Sequence, residues 1–419
     1  LTLANDASIS GLTVGKGAGS VSSNTAVGNG ALQANTTGVE TTAVGYRAAY
    51  SNTTGNSNSA FGRYALYSNI DGSSNASFGY NSLYANTSGS NNTAYGVQSL
   101  VNNTTASNNT AVGYQAGYSN VTGTGLTAIG YYSGRLSTGD RNTFVGRYSA
   151  SNTTASDNTA IGDSALYANT SGAYNTALGA NALAANTTAS NNTAVGYQAG
   201  YTNSTGTRIS ALGTQSLYAN TTGSYNAVVG YQAGYSNTTG QRQVFVGDSA
   251  GYTNTTGVNN TFVGALSGFT NNGSYNCAIG DTAMYSNTSG ANNTALGVNA
   301  LYNNTTASNN TAVGYQAGYS NTTGTANVLM GVQAGYTGTT AGYSTFLGYY
   351  AGKTYNGSTT YGEVHVGVFS GQSTTTGVQN TFVGGSAASN NTTGNYNTAI
   401  GAAALLSNTT ASNNTAVGY

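Results

Sequence analysis

The chain of 419 residues has no proline and no tryptophan, one cysteine, one histidine and two methionines, and only 4% of its residues are charged. Without proline, no position is barred from donating a backbone hydrogen bond, which fits a fold whose N–H groups are nearly all used in ladders. The lone Cys277 excludes a disulfide framework within the chain and reads as a tolerated small side chain. Nine basic and nine acidic residues cancel, leaving neither a basic footprint for phosphates nor an acidic tail, so nucleic acid is not an expected partner. No apolar run approaches the ~20 residues of a membrane-spanning helix, and no charged-then-apolar leader opens the chain, so no membrane insertion is expected. There is no Cys/His cluster and no Gly-Gly-x-Gly-x-Asp calcium repeat, so neither a metal nor another cofactor is expected.

What the chain has instead is repetition. A glycine recurs every 17 residues at Gly28, Gly45, Gly62, Gly79, Gly96, Gly113 and Gly130, and continues through Gly146, Gly162 and Gly179 to Gly401 and Gly418, typically within Asn-Thr-Ala-Val-Gly-Tyr. A short fixed period marks a stacked architecture in which each unit buries its apolar face only against its neighbours. The expected fold is all-β, a parallel β-solenoid or β-roll of about 24 coils. Residues 1–20 read as a lead-in, with Gly15-Lys16-Gly17-Ala18-Gly19 a glycine-rich approach to the first coil rather than a phosphate loop, and 21–419 as one continuous repeat domain. The chain starts at Leu1 and stops at Gly418-Tyr419, partway through a repeat, so the expectation is a segment of a longer protein that continues past both ends.

Two adjacent apolar rows precede the glycine, and adjacent strand residues point to opposite faces, so the strand is expected to be buried on both sides. The small row, Ala26, Ala43, Ala111 and Ala160, suits a cramped interior. The larger row, Val27, Val44, Val112, Ile129, Ile161, Val195 and Val313, suits a seam shared between copies of the chain, although the pattern itself says only that a partner exists.

A second short strand is expected after the glycine, ending in Tyr50, Tyr67, Tyr84, Tyr118, Tyr167, Tyr201, Tyr218 and Tyr235 and their later equivalents. Coils ~4.8 Å apart would stack these rings as a ladder, read as packing ahead of a carbohydrate-stacking stripe. The coil then turns through Asn-Thr-Thr-Gly, whose Asn and Gly tolerate left-handed backbone. Asn35, Asn52, Asn86 and Asn237 stand in N-x-Ser/Thr sequons, and are either a structural asparagine ladder or glycan-bearing residues.

Departures from the period are informative. Spacings of 16 precede Gly146, Gly162 and Gly280, and a spacing of 19 separates Gly348 from Gly367, where Tyr355 to Tyr361 is expected to bulge outward. Arg147 and Asp163, and Arg141 and Asp157, share the same phase in successive coils and are expected to pair along the stack. His365, two residues before Gly367, falls in the buried small row and reads as a core or interface imidazole. No catalytic constellation is present, and no enzymatic activity is expected.

Asn-Thr-Ala-Val/Ile-Gly at fixed period resembles the head repeats of trimeric autotransporter adhesins, which form homotrimeric parallel β-rolls on bacterial surfaces. Ile9-Ser10-Gly11-Leu12-Thr13-Val14-Gly15, followed by Asn24-Thr25-Ala26-Val27-Gly28, is still more similar to repetitive fibre proteins of tailed bacteriophages, marine ones especially. The resemblance spans nearly the whole chain and carries over no catalytic residue. It implies threefold order, a virion-fibre or cell-surface location, and a structural shaft that presents a receptor-binding or adhesive tip to a cell-surface glycan or receptor. A polymerised extracellular filament, a bacterial surface adhesin and an ice-binding solenoid are the alternatives.

Overall fold

The computed structural model describes residues 7–9, 12–357 and 360–419. These fall into two compact units, Leu1–Arg208 and Ile209–Tyr419. Each unit is a parallel β-solenoid with a 17-residue repeat, and together they hold about 23 turns. No α-helix occurs among the described residues. Of the opening motif, Ser10 and Gly11 lie outside the described residues.

Each coil contributes one three-residue strand. Thr110–Val112, for example, pairs in register with Thr93–Tyr95 and with Thr127–Ile129. Threonine and valine favour the pleated conformation, and the anchor glycine ends it. Gly62 has φ 136°, and a Cβ there would lie 2.6 Å from the carbonyl oxygen of Gly79 in the next coil. Both the angle and the closeness require glycine. The irregular coils keep the register: Thr127 pairs with Thr143 and Thr143 with Thr159 across 16-residue steps, and Thr345 with Val364 across the 19-residue step.

The second strand expected after the glycine does not form. Gln115 (φ 52°) and Gly117 (φ 60°) are left-handed, and the Ala116 N–H turns back onto the Gly113 carbonyl at 3.4 Å. The Gln115 N–H reaches Val97 O and the Gly117 N–H reaches Ser133 O, both at 3.0 Å, one coil to either side. Five extended residues would run ~16 Å, too far for so narrow a coil, and alternating hand shortens the path. Left-handed backbone costs ~1–2 kcal/mol for a residue with a side chain, and the inter-coil hydrogen bonds offset it.

The core is a narrow interior shared by two positions. One is two residues before the anchor glycine, the other four after it, and their sizes are complementary. Ala60, Ala94 and Ala160 go with Leu66, Leu100 and Leu166, whereas Phe245, Phe262 and Phe346 go with Gly251, Gly268 and Gly352. A Cβ at Gly268 would lie 2.5 Å from the ring of Phe262. Most coils therefore hold one large side chain between these two positions, and where both are small, as at Ala111 and Gly117, Leu100 and Leu126 of the adjacent coils reach into the space.

The first coil is covered by a hairpin. Strand Leu12–Gly15 runs antiparallel to both Ala7–Ile9 and Thr25–Val27, with Val14 opposite Val27 and Gly15 opposite Ala26. It occupies hydrogen-bonding groups that a bare edge strand would leave open.

Candidate functional site

The strands present one exposed face. In Thr110–Val112 and its equivalents only the middle residue is buried, so the threonine and the aliphatic residue project from the same side. The expectation of burial on both faces therefore fails within the single chain. Ile129 is 38% exposed, Ile161 37% and Leu178 43%, while Val27, Val44, Val112, Val195 and Val313 are half-buried. Ala26, Ala43, Ala111 and Ala160, on the other face, are 0–1% exposed.

The tyrosine row lies beyond the left-handed turn. Tyr50, Tyr67 and Tyr84 stack in sequence with centroids 5.2 and 5.1 Å apart. In the second unit Tyr218, Tyr235 and Tyr252 continue through Phe269 to Tyr285, Tyr302, Tyr319 and Tyr336 at 4.9–5.2 Å. Phe269 was legible as an aromatic in phase. In the first unit the row is broken by Val101, Arg135, Ser151 and Ala184. Tyr118 lies beneath the Arg135 guanidinium at 5.6 Å, and Tyr167, between Ser151 and Ala184, is 43% exposed. Tyr201 lines the depression over Ala184 together with Tyr167.

The asparagines run inside the turn. Asn52 Nδ2 donates to Asn35 Oδ1 at 3.1 Å and to Gly55 O at 3.0 Å, Asn86 Nδ2 to Asn69 Oδ1 at 2.8 Å and Gly89 O at 2.9 Å, and Asn237 Nδ2 to Asn220 Oδ1 at 2.8 Å and Gly240 O at 3.1 Å. Asn35, Asn52, Asn86 and Asn237 are at most 2% exposed, with the nitrogen a glycan would need turned inward. A second ladder lies four residues before the glycine: Asn58 Oδ1 accepts the Asn75 N–H at 2.9 Å, and Asn58 Nδ2 donates to Gly72 O at 2.8 Å. Outside the turn, the N–H groups of Thr36, Thr37 and Gly38 and the Thr36 hydroxyl all converge on Thr53 O, at 2.9–3.2 Å.

The two expected ion pairs form. Arg147 Nε donates to Asp163 Oδ1 at 2.7 Å and Nη2 to Oδ2 at 3.2 Å, and Arg141 makes the same fork on Asp157 at 2.7 and 2.9 Å. These hydrogen bonds hold both carboxyls below the usual aspartate range. Burial pushes the half-buried Cys277 thiol up, and the hydrogen bond with Tyr132 pushes the Tyr131 hydroxyl up to about 12.

The long coil is rebuilt on the inside. Tyr355 was expected to bulge outward, but it occupies an asparagine-ladder position and is fully buried, because the enlarged coil makes room for a ring where its neighbours hold an amide. Tyr361 is 53% exposed, and Ser358 and Thr359 lie outside the described residues. Glu363 takes the second ladder position, fully buried, and its Oε1 accepts the Asn380 N–H at 3.0 Å. His365 lies between Phe346 and Phe382 with centroids 4.8 and 4.9 Å away, and its Nε2 is 3.0 Å from Glu363 Oε2. Sequence reasoning placed His365 inside but missed Glu363, whose phase, four residues before Gly367, was the available signal. Among the described residues no three His, Cys, Asp or Glu side chains come together as a metal site. No family model matches the chain, and no curated protein matches it.

Proposed function

We propose that the protein is the structural shaft of an extracellular or virion fibre, in which copies of the chain associate as a homotrimer along the exposed strand face, and which presents a receptor-binding or adhesive tip. The observation that carries this reading is the aliphatic row. It recurs in nearly every coil of both units at 37–45% exposure at Ile129, Ile161, Leu178, Leu212, Ile279 and Leu296, a longer apolar stripe than a soluble monomer usually leaves in water. Stacked coils that contact only their neighbours suit a part whose task is to span distance.

Sedimentation equilibrium tests it. The chain of 41.9 kDa is expected to sediment as a trimer, and Val112→Asp or Val313→Asp to shift it toward monomer, since a charge in a dry seam has no partner. Monomeric behaviour of the unchanged chain at all concentrations would sink the reading. A polymerised filament would instead give masses that climb without limit.

One observation favours ice binding as a second reading. Thr110, Thr127, Thr143 and Thr159 form a rank beside the aliphatic rank on the same exposed face, whereas the Thr36 hydroxyl is engaged on a backbone carbonyl. A monomeric chain with thermal hysteresis would select that reading over the fibre.

A further inference from the structure

Among the described residues, Tyr167 is the one tyrosine of the row with a small residue in the row on both sides. Where the coil before it would place a ring there is Ser151, and where the coil after it would place one there is Ala184. Each substitution opens a depression. One, of about 220 Å³, lies among Tyr132, Arg135, Tyr148, Ser151, Asn152 and Tyr167. The other, of about 460 Å³, lies over Ala184 between Tyr167 and Tyr201, with Tyr148, Arg147 and Asn181 on its rim. The larger is of the size that small-ligand sites have.

We propose that Tyr167 and the depression over Ala184 form a binding site for a neutral hexopyranose unit of a glycan. Along the stack the depression includes the place of one absent six-membered ring, because Tyr167 and Tyr201 occupy the phase that Ala184 leaves empty between them. A pyranose presents a face of weakly positive C–H groups that complements the negative face of an aromatic ring, and a rim of hydroxyls that needs donors and acceptors. Tyr167 supplies the face. Polar groups for the hydroxyls come from Asn181, Ser164, Tyr148 and Arg147, which line the depression and include both donors and acceptors. The fork between Arg147 and Asp163 leaves the site without net charge, so a neutral sugar fits it better than a uronate or a phosphosugar. The rings hold their places by contacts already made: Tyr148 meets Tyr167 edge to face at 6.2 Å, and Asn152 Nδ2 donates to Tyr167 O at 3.0 Å.

The test titrates neutral linear tetraoses of glucose, mannose and galactose into the full chain, with saturation-transfer NMR and the Tyr167 ring signals as readouts. At least one tetraose is expected to bind saturably. Ala184→Tyr, which completes the row, is expected to weaken it about tenfold or more without lowering the thermal midpoint. Tyr167→Ala is expected to weaken it similarly, while Tyr302→Ala in the closed row leaves binding unchanged. The proposal is overturned if no tetraose perturbs Tyr167, if Ala184→Tyr binds as the unchanged chain does, or if p-cresol saturates the site in preference to every tetraose. It does not rest on the fibre reading: a monomeric chain that bound a tetraose here would sink that reading alone.

Discussion

His365 Nε2 lies 3.0 Å from Glu363 Oε2, and neither side chain touches solvent. The His365 Nδ1 has no hydrogen-bond partner among the described residues. A pair of this kind holds together when intact but costs heavily when halved. His365→Phe alone is expected to destabilise by several kcal/mol, since it leaves the Glu363 carboxyl buried without its partner. His365→Phe combined with Glu363→Asn restores a phenylalanine stack and an asparagine ladder, and is expected to be neutral or ~1–3 kcal/mol more stable than the unchanged chain. Urea unfolding of the three proteins checks the non-additivity; equal losses in the single and double variants would contradict it.

The size complementarity of the interior predicts a rescue. Phe262→Ala should cost ~3–5 kcal/mol by leaving a cavity. Gly268→Leu should also be destabilising, because the Phe262 ring occupies the space a side chain there would need. Together they should recover most of the loss, since Ala60 and Leu66 already share this arrangement and Leu66 adopts the same left-handed φ, 53°. Calorimetric midpoints measure the coupling, and additive single losses would refute the shared-space argument.

Asn86 receives as well as donates: Asn103 Nδ2 reaches its Oδ1 at 2.8 Å. Asn86→Ala removes two donated hydrogen bonds, leaving Asn69 Oδ1 without its donor, and takes one acceptor from the Asn103 amide, which keeps only its bond to Ala106 O. A loss of ~2–4 kcal/mol is expected, at ~1–3 kcal/mol for each buried group left unsatisfied. Chemical denaturation gives the number, and a loss under half a kcal/mol would place Asn86 outside any cooperative ladder.

The exposed forks between Arg141 and Asp157 and between Arg147 and Asp163 should show in acid. Their carboxyls titrate below the ordinary aspartate range when folded, so their contribution is present above the unfolded pKa and is lost as pH falls through the depressed folded values. Carboxyl-carbon NMR titration should find both below the value of a free aspartate, with the depression shrinking in high salt. Ordinary values at low salt would mean that the pairs do not persist in solution.

Thr42 pairs with Ser59 as Thr25 pairs with Thr42, so removing Thr42 to Asn58 stacks like on like. This whole-coil deletion is expected to fold, whereas removal of eight residues sets strand against turn in the coils that follow and is not. Soluble yield and circular dichroism separate the two outcomes, and equal yields would contradict the register.

The sequence by itself determined what depends on phase alone. The repeating glycine placed the one strand of each coil, adjacent residues of opposite side fixed which one faces inward, and equal phase brought Arg147 to Asp163 sixteen residues away, because stacking turns sequence period into spatial contact. Its small size in a cramped row marked Ala111 as an interior residue. Only the tertiary structure decided what depends on how a narrow coil closes. The turn after the glycine alternates in hand at Gln115 and Gly117, since an extended segment would overshoot, and no propensity of Tyr-Gln-Ala-Gly-Tyr announces it. The added length of the long coil was visible, but its direction was not: room inside drew Tyr355 and Glu363 inward to meet His365. The bareness of Tyr167 follows from neighbours sixteen and seventeen residues away, and exposure of that kind exists only once the coils are stacked.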